Sequence, residues 1–487
     1  MGKKSCSILI VGMIVLAVLI VKAVLFFTAE PKVTVNYVAE LNRMSRSADY
    51  DPNDNAAAYY EKASFAYVET PERVLQAYTN WPGDMNELAL DALRKWLGEN
   101  SPALEYLERA TAKPYLWVEG HNKDDYIMSS RFSGPANIYK LCKLLDWRAR
   151  LKAIDGESAM SLKDLLTCWK VGDHYTNTKL LLDDQLQGLR IKEHALKTAF
   201  LILDLCKIDA ENLMLWQKNW EQEFKRDEYI PRFETERLVY YDLIQRNFVD
   251  NGRGTGRLAW KKAKNFTVLC HSLYNLRIFL SCFTGPNRNE VTEIVNSVFG
   301  HYEEAVKKTP WEIRTAEQTY RAKIERVVEK KPILDRFIPP LDAYRLCYYR
   351  IKACSEALIT AVSILRYKAD KGSYPKNLDE LIQQKYLTKL PRDPFSNGPL
   401  VYNLLDDDFE LYSIEKDFRD DGAGRFPGGN PISGIPEGDE VFWPPFSKGR
   451  KNIKFYKLLE KNSPQTIRGT STPKTEGNYR PFDDKEF

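Results

Sequence analysis

A short acidic segment of this 487-residue chain carries the residue types that bind a hard metal ion. Asp417, Asp420 and Asp421 lie close together, and Ser413 precedes them. Ca²⁺ prefers about six to eight oxygen ligands, and three carboxylates with serine oxygens supply several of these. The sequence therefore predicts a calcium site at Ser413, Asp417, Asp420 and Asp421, outside the EF-hand pattern. A solvated acidic turn without metal is the alternative.

Other residue types that perform chemistry are scattered. The five histidines form no H-E-x-x-H, H-x-H or C-x-x-C-H motif, which excludes sequence-local zinc and c-type haem sites. Neither a G-x-S-x-G elbow nor a Walker-A loop occurs, and the glycine-rich segment 252–257 is interpreted as an inter-helix loop. Acid pairs such as Asp124-Asp125 and Asp183-Asp184 occur in every helical protein of this size. No residue is predicted to be catalytic.

The composition indicates a folded chain without a strong charge preference. Lys and Arg number 71 and Asp and Glu 67, so the formal charge is only +4. This near-balance argues against a nucleic-acid partner, which selects a basic face. Hydrophobic residues make up 44% and charged residues 28%, as in globular proteins. Eight cysteines are too few for a disulfide scaffold.

An apolar run at residues 8–27, interrupted only by Gly12 and Lys22, is long enough to span a bilayer. No small-residue cleavage site follows it, although a cleaved signal peptide remains the alternative. Lys3 and Lys4 precede the run, which predicts a cytoplasmic tip. We therefore expect residues 1–30 to form a tip and transmembrane anchor that contacts lipid through residues 8–27, with the remaining chain exported into a periplasm-like compartment.

Residues 31–340 carry a helical period and predict a mainly α domain, either a helical bundle or a solenoid-like array. Apolar residues recur at three- and four-residue steps, as in Leu141, Leu144 and Leu145. Helix starts are predicted at Thr309, which has Pro next and Glu312 at the capping-box position, and at Ser161.

The pattern changes at residues 341–425 to a small α+β module. A long helix over Leu341–Asp370 is followed by a short helix after Asn377 and by two strands, Leu400–Asn403 and Phe409–Ser413. Residues 426–487 are rich in Pro and Gly and then polar, which predicts a loop or tail. Within this tail the apolar segment Phe442–Phe446 is expected to dock on the body, with a partner-binding peptide as the alternative.

Three segments of the helical part resemble a family of uncharacterised exported proteins typical of planctomycete-like bacteria. They are Asn55–Tyr60, the stretch from Leu93 to Leu107, and the L-L-x-C-W-K-V-G stretch at Leu165–Gly172. The resemblance implies a membrane-anchored helical domain to which no function is assigned.

The C-terminal module resembles the globular part of the major pseudopilin of type II secretion systems. The shared residues begin with Tyr367-Lys368-x-Asp370-x-Gly372-x-Tyr374-Pro375 and continue through Leu378, Leu381, Tyr386-Leu387, Pro391, Asp393-Pro394-Phe395, Tyr402, Tyr412-Ser413 and Asp417. In that family the loop after the last strand binds calcium, so the resemblance implies the same for Ser413–Gly422. The pseudopilin Gly is replaced here by Glu415, and the prepilin processing motif is absent from residues 1–12.

These patterns together predict a non-enzymatic binding or scaffold protein with protein partners in the envelope, associated with a type II secretion or pilus-like system. The secretion role rests on the resemblance alone. The alternative is an exported hydrolase that acts on cell-wall glycan or peptide, with acidic residues in a helical groove.

Overall fold

The computed structural model describes residues 3–79, 86–121, 126–129, 135, 137–177, 181–226, 229–266, 272–423 and 438–445, and it is mainly helical. The side chains of residues 3–11, 77–79, 266, 272 and 274 are outside this description. The α-helices are α1 (Lys3–Thr28), α2 (Tyr37–Ser45), α3 (Ala57–Ala66), α4 (Glu72–Thr79), α5 (Glu87–Glu99), α6 (Ser101–Thr111), α7 (Ile138–Ile154), α8 (Ser158–Asn177), α9 (Leu182–Leu205), α10 (Ala210–Arg226), α11 (Glu234–Asn247), α12 (Ser272–Thr284), α13 (Arg288–Ala305), α14 (Pro310–Lys330), α15 (Leu341–Lys371) and α16 (Leu378–Gln383).

Short 3₁₀ helices cover Pro52–Asp54, Ile127–Ser129, Trp260–Phe266 and Pro332–Phe337. Three strands, β1 (Val401–Leu404), β2 (Phe409–Ser413) and β3 (Glu440–Trp443), form one antiparallel sheet with β2 in the middle. Val401 of β1 pairs with Tyr412 of β2, and on its other side Tyr412 pairs with Val441 of β3. The predicted hairpin is therefore present, and a third strand extends it.

The centre of the body is the packing of α7, α8 and α9 against one another. The apolar residues predicted for this region, Leu141, Leu144 and Leu145 among them, are fully buried. Gly172 of α8 and Gly188 of α9 face each other so closely that a Cβ on either would lie under 3 Å from the opposing backbone. Glycine at both positions therefore permits this close helix contact.

Two predicted helix starts have different outcomes. Thr309 begins α14 as expected, because its hydroxyl accepts the Glu312 amide while the Glu312 carboxylate accepts the Thr309 amide. Ser161 is not a helix start, since α8 begins three residues earlier at Ser158. The left-handed backbone of Gly156 (φ 82°) ends the turn after α7 and lets α8 begin sooner.

The long helix α15 joins the helical body to the sheet. It packs against α9 and α10 on one side and contacts β2 and β3 on another. Near its C-terminal end Arg366 donates to Gln217 of α10, and Gln217 in turn donates to the Tyr386 carbonyl. The largest apolar core cluster accordingly runs from α3 to β3.

The segment predicted as a loop or tail from residue 426 includes an ordered strand. Phe442 of β3 stacks on Phe200 of α9 with ring centroids 6.1 Å apart, and Trp443 stacks on Phe409 at 5.0 Å. Both side chains are buried. The sequence predicts that this segment docks on the body, and the structure confirms this prediction for these two residues. Residues 446–487 lie outside the described part.

The apolar helix α1 contacts the body at its C-terminal end, where Phe26 stacks on Phe283 and Phe27 meets Trp260 edge to face. Its apolar side chains from Met13 to Leu25 are exposed. Within the part of the chain that the structure describes, no helix is both long and apolar enough to cross a membrane.

Candidate functional site

The predicted metal-binding residues lie at the end of β2 and in the segment 414–423 that follows it, here called the acidic loop. Two strands of the sheet flank this region in the sequence, because β2 precedes the loop and β3, which pairs with β2, begins at Glu440. Three non-glycine residues of the loop, Glu415, Phe418 and Ala423, have positive φ angles of 55°, 60° and 61°. A backbone of this kind is costly for side-chain-bearing residues and requires contacts that hold it.

Ser413 is fully buried and its hydroxyl is already engaged. It donates to Asp393 Oδ1 at 2.8 Å and accepts the Glu415 amide at 3.3 Å. Asp393 is also buried and accepts the Phe395 and Ile414 amides. Burial raises the pKa of the Asp393 carboxyl in spite of these bonds. The Ser413 hydroxyl therefore fastens the start of the loop to Asp393.

Glu415 points inward and forms a buried ion pair with Arg350 of α15. Arg350 Nε and Nη2 donate to Glu415 Oε2 at 2.9 and 2.7 Å. Burial raises the pKa of Glu415 to about 7, against the opposing effect of the Arg350 charge. The backbone at Glu415 is left-handed (φ 55°), a conformation that glycine adopts at lower cost. Here the ion pair holds a glutamate in that conformation.

The three predicted aspartates lie at the surface of the loop. Asp417 Oδ1 accepts the Arg419 amide, and Asp420 Oδ1 accepts the Gly422 amide and the Tyr412 hydroxyl. The Asp421 amide donates to Asp439 Oδ2 at 3.1 Å. These bonds shape the loop as a series of tight turns with exposed carboxylates.

Asp439, just before β3, is the acidic residue beneath the loop that the sequence analysis did not identify. Its Oδ2 accepts the amides of Asp421 and Ala423, while its buried Oδ1 has no hydrogen-bond partner among the described residues. Burial, together with the negative charges of Asp420 and Asp421, raises the pKa of Asp439 to about 6. A buried carboxylate oxygen without a donor is an unfavourable arrangement that a cation would relieve.

The fit of these residues to calcium is partial. Asp420, Asp421 and Asp439 lie near one another, whereas the Ser413 hydroxyl is bonded to Asp393 and one oxygen of Asp417 accepts the backbone amide of Arg419. Across the described ranges, no group of three or more Asp, Glu, His or Cys side chains is arranged to hold a metal ion. The four-residue calcium set of the sequence analysis thus remains a prediction, with Asp439 as the residue it omits.

Only some of this arrangement has a sequence signal. Asp393-Pro394-Phe395 has the spacing of an Asx turn, and the Asp393 carboxylate does accept the Phe395 amide. Nothing local to Arg350 or Asp439 indicates that they meet the loop, because sequence spacing does not report contacts between distant segments.

Several of the other residues considered from the sequence have structural roles. His174 is buried between the Tyr60 hydroxyl and the Lys113 carbonyl, and burial lowers its pKa to about 4. Asp183 and Asp184 lie in the first turn of α9, where negative charge is favourable. The pair Asp124-Asp125, His271 and Cys270 fall outside the described residues, and the described cysteines are free thiols.

A surface groove of about 420 Å³ lies between α6, α8 and α10. Its lining includes Thr111, Leu215 and Lys170, with a single carboxylate, that of Glu108. Lys163 donates to this carboxylate at 2.9 Å. A glycosidase uses two carboxyl groups across its cleft, and this lining supplies one.

Comparison of the chain with protein-family profiles, with curated proteins and with solved structures finds no match in any of the three.

Proposed function

We propose that this chain is a single-pass membrane-anchored protein of the bacterial envelope that binds other proteins and catalyses no reaction. The observation that carries the proposal is α1, a 26-residue helix whose apolar side chains are exposed from Met13 to Leu25. The apolar run at residues 8–27 begins before Gly12, where the description of side chains starts, and over its full length it matches the hydrocarbon thickness of a bilayer.

The way in which the sheet is attached supports a scaffold. Arg366 and Gln217 tie α15 to α10, and Phe442 stacks on Phe200 of α9. The body and the sheet therefore present their surfaces in a fixed relation to each other. The Glu108 groove, with a single carboxylate in its lining, gives no support to the alternative, an exported hydrolase of cell-wall glycan or peptide.

Association with a type II secretion or pilus-like system is the specific form of the proposal. It rests on the pseudopilin-like residues from Tyr367 to Asp417. The order of the elements, a long helix, a short helix and a hairpin, is the order that this resemblance implies.

Two experiments test the proposal. Alkaline carbonate extraction tests the anchor: we expect the chain to stay with the membrane pellet, and its release would overturn the anchor. Cross-linking in native membranes, followed by affinity capture and mass spectrometry, tests the partners. Removal of residues 341–425 would delete α15 from the body core, so a point variant is preferable.

Leu404→Lys changes an exposed residue on the edge strand β1, and Leu88→Lys changes an exposed leucine of α5 as a matched control. We expect secretion or pilus subunits to be captured with the unmodified chain and with Leu88→Lys, and to be lost with Leu404→Lys. Capture of nothing above background would favour the hydrolase, to be assayed with purified protein on cell-wall fragments.

Calcium at the acidic loop is a further part of the proposal, and the unpartnered Oδ1 of Asp439 supports it. Melting of the detergent-solubilised full chain with excess Ca²⁺ and with chelator is the test. We expect a higher melting temperature with Ca²⁺, and no such increase in Asp439→Asn. Equal melting temperatures of the unmodified chain under both conditions would overturn the calcium site.

A further inference from the structure

An unusual stripe of exposed apolar side chains runs along α12. Leu273, Leu276, Leu280 and Phe283 recur at steps of three and four residues, which places them on one helix face. Their exposed fractions are 78%, 55%, 48% and 47%. The opposite face, with Ile278 and Cys282, is fully buried in the body. The helix is therefore held by the body while a second apolar face is left open to solvent.

A stripe of this kind differs from the scattered apolar residues of ordinary surfaces. It extends over eleven residues, with about 15 Å of helix between the first and the last. Contiguous exposed apolar surface marks a site of interaction with protein or membrane. Among the described residues, Phe26 and Trp260 contact Phe283 at one end of the stripe, and the three leucines are exposed.

The stripe is continuous with the end of the apolar helix α1. Phe283, its last member, stacks on Phe26 with ring centroids 4.5 Å apart. Trp260 lies beside this contact, 5.1 Å from Phe27 and 6.0 Å from Phe283, and 5.2 Å from Phe279. The two apolar surfaces thus meet at a cluster of aromatic rings. Tryptophan is enriched where an apolar surface passes into the headgroup region of a membrane.

Basic residues flank the same cluster. Lys261, Lys262 and Lys264 follow Trp260 directly, and Arg277 lies on α12 itself. Lys261 pairs with Glu30, and Arg277 donates to the Glu329 carbonyl, so these two cations are fixed near the stripe. A basic, aromatic and apolar surface of this composition is complementary to anionic lipid headgroups over an acyl layer.

We infer that α12 lies in the interface of the bilayer, with Leu273, Leu276, Leu280 and Phe283 inserted among the lipids beside the point where α1 enters. This inference rests on the proposed anchor. The occupant of the stripe is lipid, since its apolar surface continues that of α1 and lysines flank the junction. The body is then held against the membrane surface at two places and its orientation is fixed.

Site-specific photo-cross-linking of the full chain in vesicles of phosphatidylcholine and phosphatidylglycerol tests the inference. p-Benzoylphenylalanine replaces Leu276 on the stripe, Leu19 within α1, or Leu88 on α5 as the exposed control. All three side chains are exposed, so the substitutions leave the core intact. Mass spectrometry then identifies what each position has captured.

We expect lipid adducts at Leu276 and Leu19, each at least tenfold more abundant than at Leu88. Lipid adducts at Leu19 alone would overturn the interfacial position of α12 and leave the anchor standing. Their absence from both positions would overturn the anchor and the inference together. Capture at Leu276 of a peptide from residues 446–487, or from a second copy of the chain, would overturn lipid as the occupant.

Discussion

The acidic loop and the α12 stripe depart from the usual distribution of residues in opposite directions. Around the loop, Glu415, Asp393 and Asp439 are buried although they carry ionisable groups. On α12, leucines are exposed although they are apolar. Buried polar groups and contiguous exposed apolar surface are the informative exceptions in a folded protein. The comparison separates residues that maintain the fold from residues whose placement calls for a partner.

The two regions differ because the buried acidic residue Glu415 has its partner within the described part of the chain, whereas the exposed leucines of α12 do not. Glu415 has Arg350 within the chain, so loss of either side chain affects the stability of the fold. The α12 leucines have no partner in the described part of the chain, so their loss leaves the free energy of unfolding almost unchanged. Four measurements test this contrast.

The largest effect is expected for Arg350→Met. Removing one partner of a buried ion pair leaves the other charge uncompensated, which costs about 3–5 kcal/mol. The loss should be smaller at pH 5 than at pH 8, because Glu415 can take up a proton. Urea unfolding of the solubilised chain measures it. Arg43→Met, which removes the exposed pair with Glu40, is the control and should leave the free energy of unfolding almost unchanged. Equal losses in the two variants would remove the contrast.

Asp393→Ala should cost about 2–3 kcal/mol, because it leaves the Ser413 hydroxyl and the Ile414 amide unpaired in the interior. Asp417→Ala, on the exposed part of the same loop, should stay within about 0.5 kcal/mol in the absence of calcium. The same unfolding assay compares them. If Asp417→Ala were the more destabilising, the exposed contacts of Asp417 and not the buried ones of Asp393 would stabilise the loop.

Glu415 should make the stability fall with rising pH. Its pKa is about 7 in the folded chain and near 4.5 when exposed, so the folded state binds more protons between these values. Stability from this group is therefore present below about pH 4.5 and is lost as the pH rises through 7. Glu415→Gln should lack this slope. The stability of the variant relative to the unmodified chain should therefore be higher by about 2 kcal/mol at pH 8 than at pH 5. Parallel profiles for both proteins would contradict the burial effect.

The smallest effect is expected on α12. Leu276→Ser and Leu280→Ser should change the free energy of unfolding by less than about 0.5 kcal/mol. Ile278→Ser, on the buried face of the same helix, should cost about 3 kcal/mol because it leaves a cavity and an unpaired hydroxyl. A large loss at Leu276 in detergent would mean that the stripe is packed inside the protein.

Sequence patterns predict what depends on neighbouring residues. The Thr309 capping box and the β1–β2 hairpin are both present, because their interactions lie within a few positions of each other. Ser161 has the same local signal as Thr309 but is inside α8, where the Gly156 turn has already set the start of the helix. Local patterns therefore need the preceding turn to be known.

Long-range contacts account for what the sequence could not predict. The strand β3 lies in a Pro- and Gly-rich segment and exists because it pairs with β2 and packs on Phe200. Likewise Arg350 is 65 positions from Glu415, and no periodicity connects them. The position of the acidic loop was readable from its aspartates, while the groups that hold it were not.

The shared helix α15 also has a consequence for the order of folding. Its 31 residues, about 46 Å of helix, complete the surfaces of α9 and α10 and carry the sheet. During synthesis α9 and α10 emerge long before α15, so the faces of α9 and α10 that α15 covers stay exposed until residue 371 has been made. We expect the body to need the rest of the chain before it becomes resistant to proteases, which makes export in an unfolded state compatible with its architecture.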